Sequence, residues 1–120
     1  MVTTLIAESK VYAKRGRAAR VPVAIRVAKP VRARDGKYFT ARVHFRGLSE
    51  PRDAYGEDSM QAAALAFFFV RIQLLALRDS GWAFYLDRRA RKPADLLQFW
   101  FPPVTTQKRS NKSLERTRGR

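Results

Sequence analysis

A long apolar stretch between Tyr55 and Gly81 constrains the fold more than any other part of the chain. Asp58, followed three residues later by Gln61, is typical of a capped helix N-terminus, and Gly81 is typical of a helix end. The residues between them predict one long helix. A helix on the surface of a small domain usually has a polar side, yet this segment is apolar almost all the way round. We therefore expect the helix to make contacts on two sides.

The helix has one broad apolar face at 100° per residue, and we predict that this face covers a sheet. The face consists of Leu65, Phe68, Phe69, Ile72, Leu75 and Ala76. Among them, Phe68 and Ile72 are expected to hold the fold together. The opposite side consists of Phe67, Val70 and Leu74, beside a narrow charged stripe of Arg71 and Arg78. Some second contact must cover that opposite side.

Two aromatic segments that follow the helix are candidates for this contact. "GWAFYLD" and "DLLQFWFPP" each alternate large apolar residues like a short strand. The alternating residues are Trp82, Phe84 and Leu86 in the first segment, and Leu97, Phe99 and Phe101 in the second, with Trp100 opposed. The alternatives are that a second copy of the chain, or a different protein, covers this side of the helix. The candidate interaction surface consists of Phe67, Val70, Leu74, Trp82 and Trp100.

Three segments before the helix predict antiparallel strands. "RVPVAIRVAKPV" and "YFTARVHFRGL" alternate apolar and polar residues with a period of two, which is typical of half-buried strands. Asp35-Gly36 between them is a strong hairpin signal, and "TLIAESKVYAK" is a weaker strand upstream. We predict an α+β fold in β-β-β-α-β order. A three- to four-stranded antiparallel sheet would have one long helix packed on one face.

The net charge of +15 is distributed unevenly along the chain. Residues 10–46 contain twelve Lys or Arg and one acid, whereas residues 47–103 contain seven of each kind. The outward side of the predicted sheet is therefore a candidate polyanion-binding face, consisting of Lys10, Arg26, Tyr38, Arg42, His44 and Arg46. Arginine binds phosphate and aromatic rings stack on bases, so nucleic acid is a candidate ligand. The alternative is that these arginines are simply solvated.

The sequence contains no recognisable catalytic or metal-binding signature. His44 is the one histidine, and it is predicted to lie among arginines with no orienting carboxylate. The absence of cysteine and of a second histidine argues against a zinc site. The six glycines are isolated and form no phosphate-binding loop. We predict a protein that is not an enzyme and that has neither a cofactor nor a metal.

The composition predicts one folded domain over residues 1–103 and a disordered basic tail over residues 104–120. After Val104 the tail contains one aliphatic residue, Leu114, and no aromatic residue, which is too little to form a core. The N-terminus has no signal-peptide pattern, and the longest apolar run, residues 62–70, is too short to span a bilayer. We expect a cytoplasmic protein without membrane contact.

Four short motifs resemble a family of small bacterial domains of unknown function. They are "LIAES" at 5–9, "VPVAIRVAKP" at 21–30, "YFTARVHFRGL" at 38–48 and "YGEDSMQAAALA" at 55–66. The resemblance implies a basic unit of three strands and one helix between about residues 6 and 77, and it implies no activity. The aromatic end and the tail fall outside it.

A shorter pattern resembles HicB-type antitoxins, in which a strand, a glycine loop and an Ala-rich helix follow one another. The counterparts are Phe45, Gly47-Leu48, Gly56-Glu57-Asp58 and the helix from Ser59. The chain departs from that family because it lacks a recognisable C-terminal DNA-binding domain. The resemblance therefore implies a fold more than a function.

These observations predict a non-enzymatic bacterial binding protein that acts through a protein partner or through self-association as a homodimer. An antitoxin-like or immunity-like inhibitor is one concrete version. The alternative is a protein that binds nucleic acid through the basic sheet face.

Overall fold

The computed structural model describes residues 3–103, which form six strands and two helices. The strands are β1 (Leu5–Arg15), β2 (Val21–Ala28), β3 (Val31–Arg32), β4 (Phe39–Arg46), β5 (Arg52–Gly56) and β6 (Trp82–Tyr85). The helices are α1 (Ser59–Asp79) and α2 (Leu96–Trp100). The predicted tail, residues 104–120, lies outside the described residues.

All strand pairs in the described sheet are antiparallel. β1 lies between β2 and β6, and β4 pairs with both β2 and β3 along one edge and with β5 along the other. The predicted α+β class and antiparallel sheet are confirmed. The strand count is higher than predicted, because β3 and β5 are too short to give a clear alternation in the sequence.

The predicted hairpin turn at Asp35-Gly36 is confirmed and connects β3 to β4. Gly36 has a φ of 72°, and its N–H donates to the carbonyl oxygen of Ala33 at 2.9 Å. The Asp35 side chain accepts a hydrogen bond from the N–H of Lys37 at 2.9 Å. Asp and Gly are suited to such a turn, because one bonds its own backbone and the other tolerates a positive φ.

Both predicted ends of the long helix are confirmed. The Asp58 side chain accepts a hydrogen bond from the N–H of Gln61 at 2.7 Å, and the Gln61 side chain accepts one from the N–H of Glu57 at 2.6 Å. The C-terminal cap is Ser80, and Gly81 follows with a φ of 93°. These local bonds fix where α1 begins and ends, although they leave its rotation about its own axis free.

The predicted rotation of α1 is wrong. The buried side of the helix consists of Ala62, Ala66, Val70 and Leu74. Phe68 and Ile72, which were expected to face the sheet, are 50% and 40% exposed. The helix begins directly beside β5, where a Cβ on Gly56 would collide with the backbone of Ala62. Small residues therefore face the sheet at this end, because bulkier ones would push the helix away.

The second aromatic segment is a helix rather than the predicted strand. Asp95 caps α2 by accepting a hydrogen bond from the N–H of Gln98 at 3.1 Å, and Leu96 is buried. Phe99 is 67% exposed. An alternation over five residues is too short to distinguish a strand from one helical turn, and the Asp95 cap favours the helix. The first segment does form a strand, β6, although Leu86 lies beyond its end and is exposed.

The hydrophobic core lies between the sheet and the two described helices. It includes Val11, Ile25, Val43 and Phe45 from the strands, and no charged or polar side chain within residues 3–103 is buried. By length and composition α1 is also a candidate membrane span, with a mean hydropathy of 1.8 over its most apolar stretch. The core helix of a soluble domain can have the same composition, and one side of α1 packs on the sheet here.

Candidate binding surfaces

The face of the sheet that the helices do not cover is called the open face here. Side chains alternate across β1, β2 and β4, with apolar residues toward the helices and polar residues on the open face. The structure places all of the charged residues predicted for a basic face on this side: Lys10, Arg26, Arg42, His44 and Arg46. Tyr38 lies beside β5, where its ring meets the Tyr55 ring edge-on with centroids 6.3 Å apart.

Two of the predicted basic residues are paired with acids. Arg26 lies opposite Glu8 in the register, and its Nε donates to the Glu8 carboxylate at 2.6 Å. Arg42 lies opposite Asp53 and donates from two nitrogens to both carboxylate oxygens, at 2.9 and 3.3 Å. The hydrogen bond and the charge of Asp53 raise the pKa of Arg42 above its ordinary value. These two cations are therefore largely neutralised by the protein itself.

His44 lies opposite Arg26 in the register of β2 and β4, so its neighbour across the strands is a cation. Within residues 3–103, His44 donates no hydrogen bond to a carboxylate. The described part of the chain also contains no group of His, Asp and Glu side chains that could hold a metal ion.

The remaining cations of the open face concentrate around Tyr12. Lys10, Tyr12 and Lys14 alternate along β1 and therefore project from the same face. Lys10 and Arg46 flank Ala24 from the two neighbouring strands. A depression of about 380 Å³ lies among Lys10, Tyr12, Pro22, Ala24 and Arg46. Lys10, Lys14 and Arg46 form no ion pair with any carboxylate of the described residues.

A second basic segment is attached to this end of the sheet by Arg20. The Arg20 guanidinium donates to the carbonyl oxygens of Arg88 at 2.7 Å and of Ala90 at 2.5 Å. It also stacks on the Tyr85 ring, 3.6 Å from the centroid. The loop over residues 87–92 is therefore held beside the turn over residues 15–20, although about seventy positions separate them in sequence. Sequence reasoning missed this contact, because no local pattern connects the two segments.

The predicted interaction surface does not form one patch. Val70 and Leu74 are buried at 3% and 2% exposure, because they face the sheet. Trp82 and Trp100 are half-buried and pack against the core. Phe67 is partly exposed and lines an apolar groove of about 420 Å³ with Phe99, Trp100 and Phe101. The groove lies over the ends of β1 and β2, where Ala7 and Val27 form its floor.

The side of α1 that points away from the sheet is called the outer face here. It consists of Met60, Ala64, Phe68, Arg71, Ile72 and Leu75, according to the positions of buried residues around the helix. Met60 is 76% exposed, and Phe68 and Ile72 are also largely exposed. All of these residues except Arg71 are apolar, and the exposed polar residues Gln61, Arg78 and Asp79 border them at the two ends of the helix. The outer face is therefore a long apolar stripe in contact with solvent, which is unusual for an isolated small domain.

No protein-family model, no curated protein and no solved structure matches this chain. The resemblances to the small bacterial domain family and to HicB-type antitoxins therefore stay predictions. Two exposed surfaces of the described residues are candidate binding sites, the outer face of α1 and the open face of the sheet.

Proposed function

We propose that this protein is a non-enzymatic binding protein that self-associates through the outer face of α1. The supporting observation is the exposure of Phe68 and Ile72 in the middle of a 21-residue helix. Contiguous exposed apolar residues of this kind are typical of surfaces that contact another protein. The apolar composition of the helix then has two causes, since one side packs on the sheet and the other packs on a second molecule.

The charge distribution favours a second copy of the chain as the occupant. α1 contains Arg71, Arg78 and Asp79, so the helix has a net charge of about +1 (two minus one). Most of the excess positive charge lies elsewhere, on the open face, in the connecting loops and in residues 104–120. Two copies that meet through their outer faces would bring the least charged surfaces together. The strongly basic surfaces would point outward, where solvent and salt screen their repulsion.

Twofold symmetry fits this surface. In a twofold dimer the same patch is used by both molecules, so the apolar stripe of one copy would lie against the stripe of the other. Ala64 leaves room for close approach between helices, and Phe68, Ile72 and Leu75 supply apolar area. Arg71 can extend its guanidinium to the rim, because long cationic side chains bury their stems and keep the charge in water.

The test is sedimentation velocity of the full chain and of Phe68→Glu over a range of protein concentrations. We expect a dimer for the wild type and a monomer for Phe68→Glu, because the new charge would be desolvated in the interface. The matched control is Phe99→Glu, which adds the same charge at a phenylalanine outside the outer face that is 67% exposed, against 50% for Phe68. This control should stay dimeric, and circular dichroism should show that both variants are folded.

Three outcomes would overturn the proposal. One is a wild type that is monomeric at every concentration, and another is a Phe68→Glu variant that dimerises as tightly as the wild type. The third is a wild type that is monomeric and co-floats with neutral phospholipid vesicles through Phe68, which would assign the outer face to a lipid surface instead.

A further inference from the structure

We infer that the Tyr12 end of the open face is a binding site for single-stranded nucleic acid. The site, called the Tyr12 patch here, consists of Lys10, Tyr12, Lys14, Arg46 and Arg88. It is a different surface from the outer face of α1, since it lies on the opposite side of the sheet. The inference therefore does not depend on self-association.

Strand geometry creates the centre of the patch. Lys10, Tyr12 and Lys14 occupy every second position, so β1 presents a cation, an aromatic ring and a second cation in one row. Tyr12 lies opposite Tyr85 on β6 and opposite Pro22 on β2. The Arg20 guanidinium already covers Tyr85, whereas Tyr12 is half-exposed beside the depression of about 380 Å³. Tyr12 is therefore the ring on which an added planar group can stack.

The loop over residues 87–92 supplies a further cation. The Arg88 guanidinium lies 5.8 Å from the centroid of the Tyr12 ring. Arg20 holds the loop in this position through its bonds to the carbonyl oxygens of Asp87, Arg88 and Ala90. The Asp87 side chain accepts a hydrogen bond from the N–H of Arg89 at 2.8 Å, so this acid is engaged within the loop. The cations around Tyr12 are thus gathered from three separate parts of the chain.

The pattern of ion pairs separates this patch from the rest of the open face. Glu8 binds Arg26, which also lines the depression, and Asp53 binds Arg42 where β4 pairs with β5. Within residues 3–103, none of Lys10, Lys14, Arg46 and Arg88 has a carboxylate within ion-pair distance. A ligand with several phosphates can therefore gain contacts here without displacing an internal acid. Such contacts also release counterions, which favours binding at low salt.

The combination of cations with an accessible ring favours a single strand over other polyanions. Single-stranded nucleic acids bind basic surfaces on which bases stack against aromatic side chains. A duplex keeps its bases stacked internally, so they are not available to stack on Tyr12. An anionic membrane would favour cations beside exposed aliphatic side chains, and the patch itself contains none.

The experiment is a fluorescence anisotropy titration of the full chain with a labelled oligothymidine of about 12 nucleotides, repeated over a range of salt concentrations. Tyr12→Ala should weaken binding by about 5- to 150-fold, and Tyr12→Phe should retain it because the ring is kept. Lys10→Gln with Lys14→Gln should also weaken binding. The slope of log K against log salt should become shallower by about 0.7 for each lost phosphate contact.

The matched control is Lys29→Gln with Lys37→Gln, which removes the same charge from two exposed lysines away from the patch. This control should bind nearly as well as the wild type. Equal losses from both double variants would overturn the site, because the attraction would then come from bulk charge. Binding that Tyr12→Ala leaves unchanged would also overturn it.

Two further ligands discriminate among polyanions. A duplex of the same length that binds as tightly, with the same dependence on Tyr12, would overturn the assignment to single strands. Vesicles rich in phosphatidylserine that bind through Lys10 and Lys14, while the oligothymidine does not bind, would assign the patch to a membrane. Repeating the titration with Phe68→Glu should give the same affinity per chain, since the outer face takes no part.

Discussion

A core helix is expected to bury its largest apolar side chains, yet the first half of α1 buries alanines and exposes a phenylalanine. The inner side, which contacts the sheet, contains Ala62 and Ala66 in its first half, whereas the outer face contains Phe68 and Ile72. Two large residues, Phe68 and Ile72, are thus in solvent while two alanines are in the core, and Val70 and Leu74 are the larger buried residues farther along the helix. Residue size alone is therefore a poor guide to orientation, since the closeness of the helix to β5 decides which side chains fit.

This comparison also explains the unusual composition of the helix. The inner side is apolar because it excludes water from the sheet, and Ala62 and Ala66 at its beginning are small because the helix backbone approaches Gly56 closely there. The outer face points away from the sheet, so packing within one molecule does not explain why it is apolar. The proposed dimer supplies that reason, and mutations on the two sides should separate the two roles.

The largest effect is expected on the inner side. Val70→Glu would place an unpaired carboxylate in the core, and we expect a loss of more than about 4 kcal/mol in the free energy of unfolding. Urea denaturation monitored by tryptophan fluorescence measures this loss. Arg71→Glu is the matched control, because the next residue lies on the outer face and should change stability by less than about 0.5 kcal/mol. Similar losses from both variants would show that α1 does not turn Val70 toward the sheet and Arg71 away from it.

A smaller effect is expected where the helix meets β5. Gly56→Ala would bring a Cβ against the backbone of Ala62, so the first turn of α1 would have to move. We expect a loss of about 1–3 kcal/mol in the free energy of unfolding, measured by thermal and urea denaturation. Adding Ala62→Gly should not restore stability, since the clash involves backbone atoms. Unchanged stability for Gly56→Ala would mean that the close approach does not determine the orientation of the helix.

The smallest effect is expected on the outer face under dilute conditions. Phe68→Ala should change the free energy of unfolding of the monomer by less than about 0.5 kcal/mol, because the side chain is half in solvent. Phe45→Ala is the matched comparison, since Phe45 is 2% exposed and its truncation should cost about 3–5 kcal/mol. A loss of stability for Phe68→Ala that appears at high protein concentration and disappears on dilution would support dimerisation through the outer face.

Local chemistry made much of the fold predictable. The strands around Ile25 and Val43, the turn at Asp35-Gly36 and both ends of α1 depend on neighbouring residues, and all of them occur as predicted. The rotation of α1 was not predictable from its own sequence, because a segment that is apolar all round gives no preferred side. Its orientation depends on the contact with Gly56, which belongs to a strand that the sequence pattern does not reveal.

On the open face, too, the features set within one strand were predictable from the sequence, whereas the contacts between distant segments were not. Alternation placed Lys10, Arg26 and Arg46 correctly on one side of the sheet. The neutralisation of Arg26 by Glu8 depends on the register between β1 and β2, which alternation alone does not fix. The attachment of the 87–92 loop by Arg20 depends on β6 returning to β1. The charge of the basic face was therefore predictable, whereas the part of it that remains free for a ligand was not.

The position of β1 between β2 and β6 has a consequence for the synthesis of the protein. β2 follows β1 directly, whereas β6 begins at Trp82, so a growing chain must complete α1 before the second edge of β1 can pair. Until then, the backbone groups of residues 12–15 offer an open template to other nascent chains. Lys14 and Arg15 lie in that unpaired segment, and charges on an unpaired strand edge discourage aggregation. The same lysine that we assign to ligand binding in the finished protein would thus protect the unfinished one.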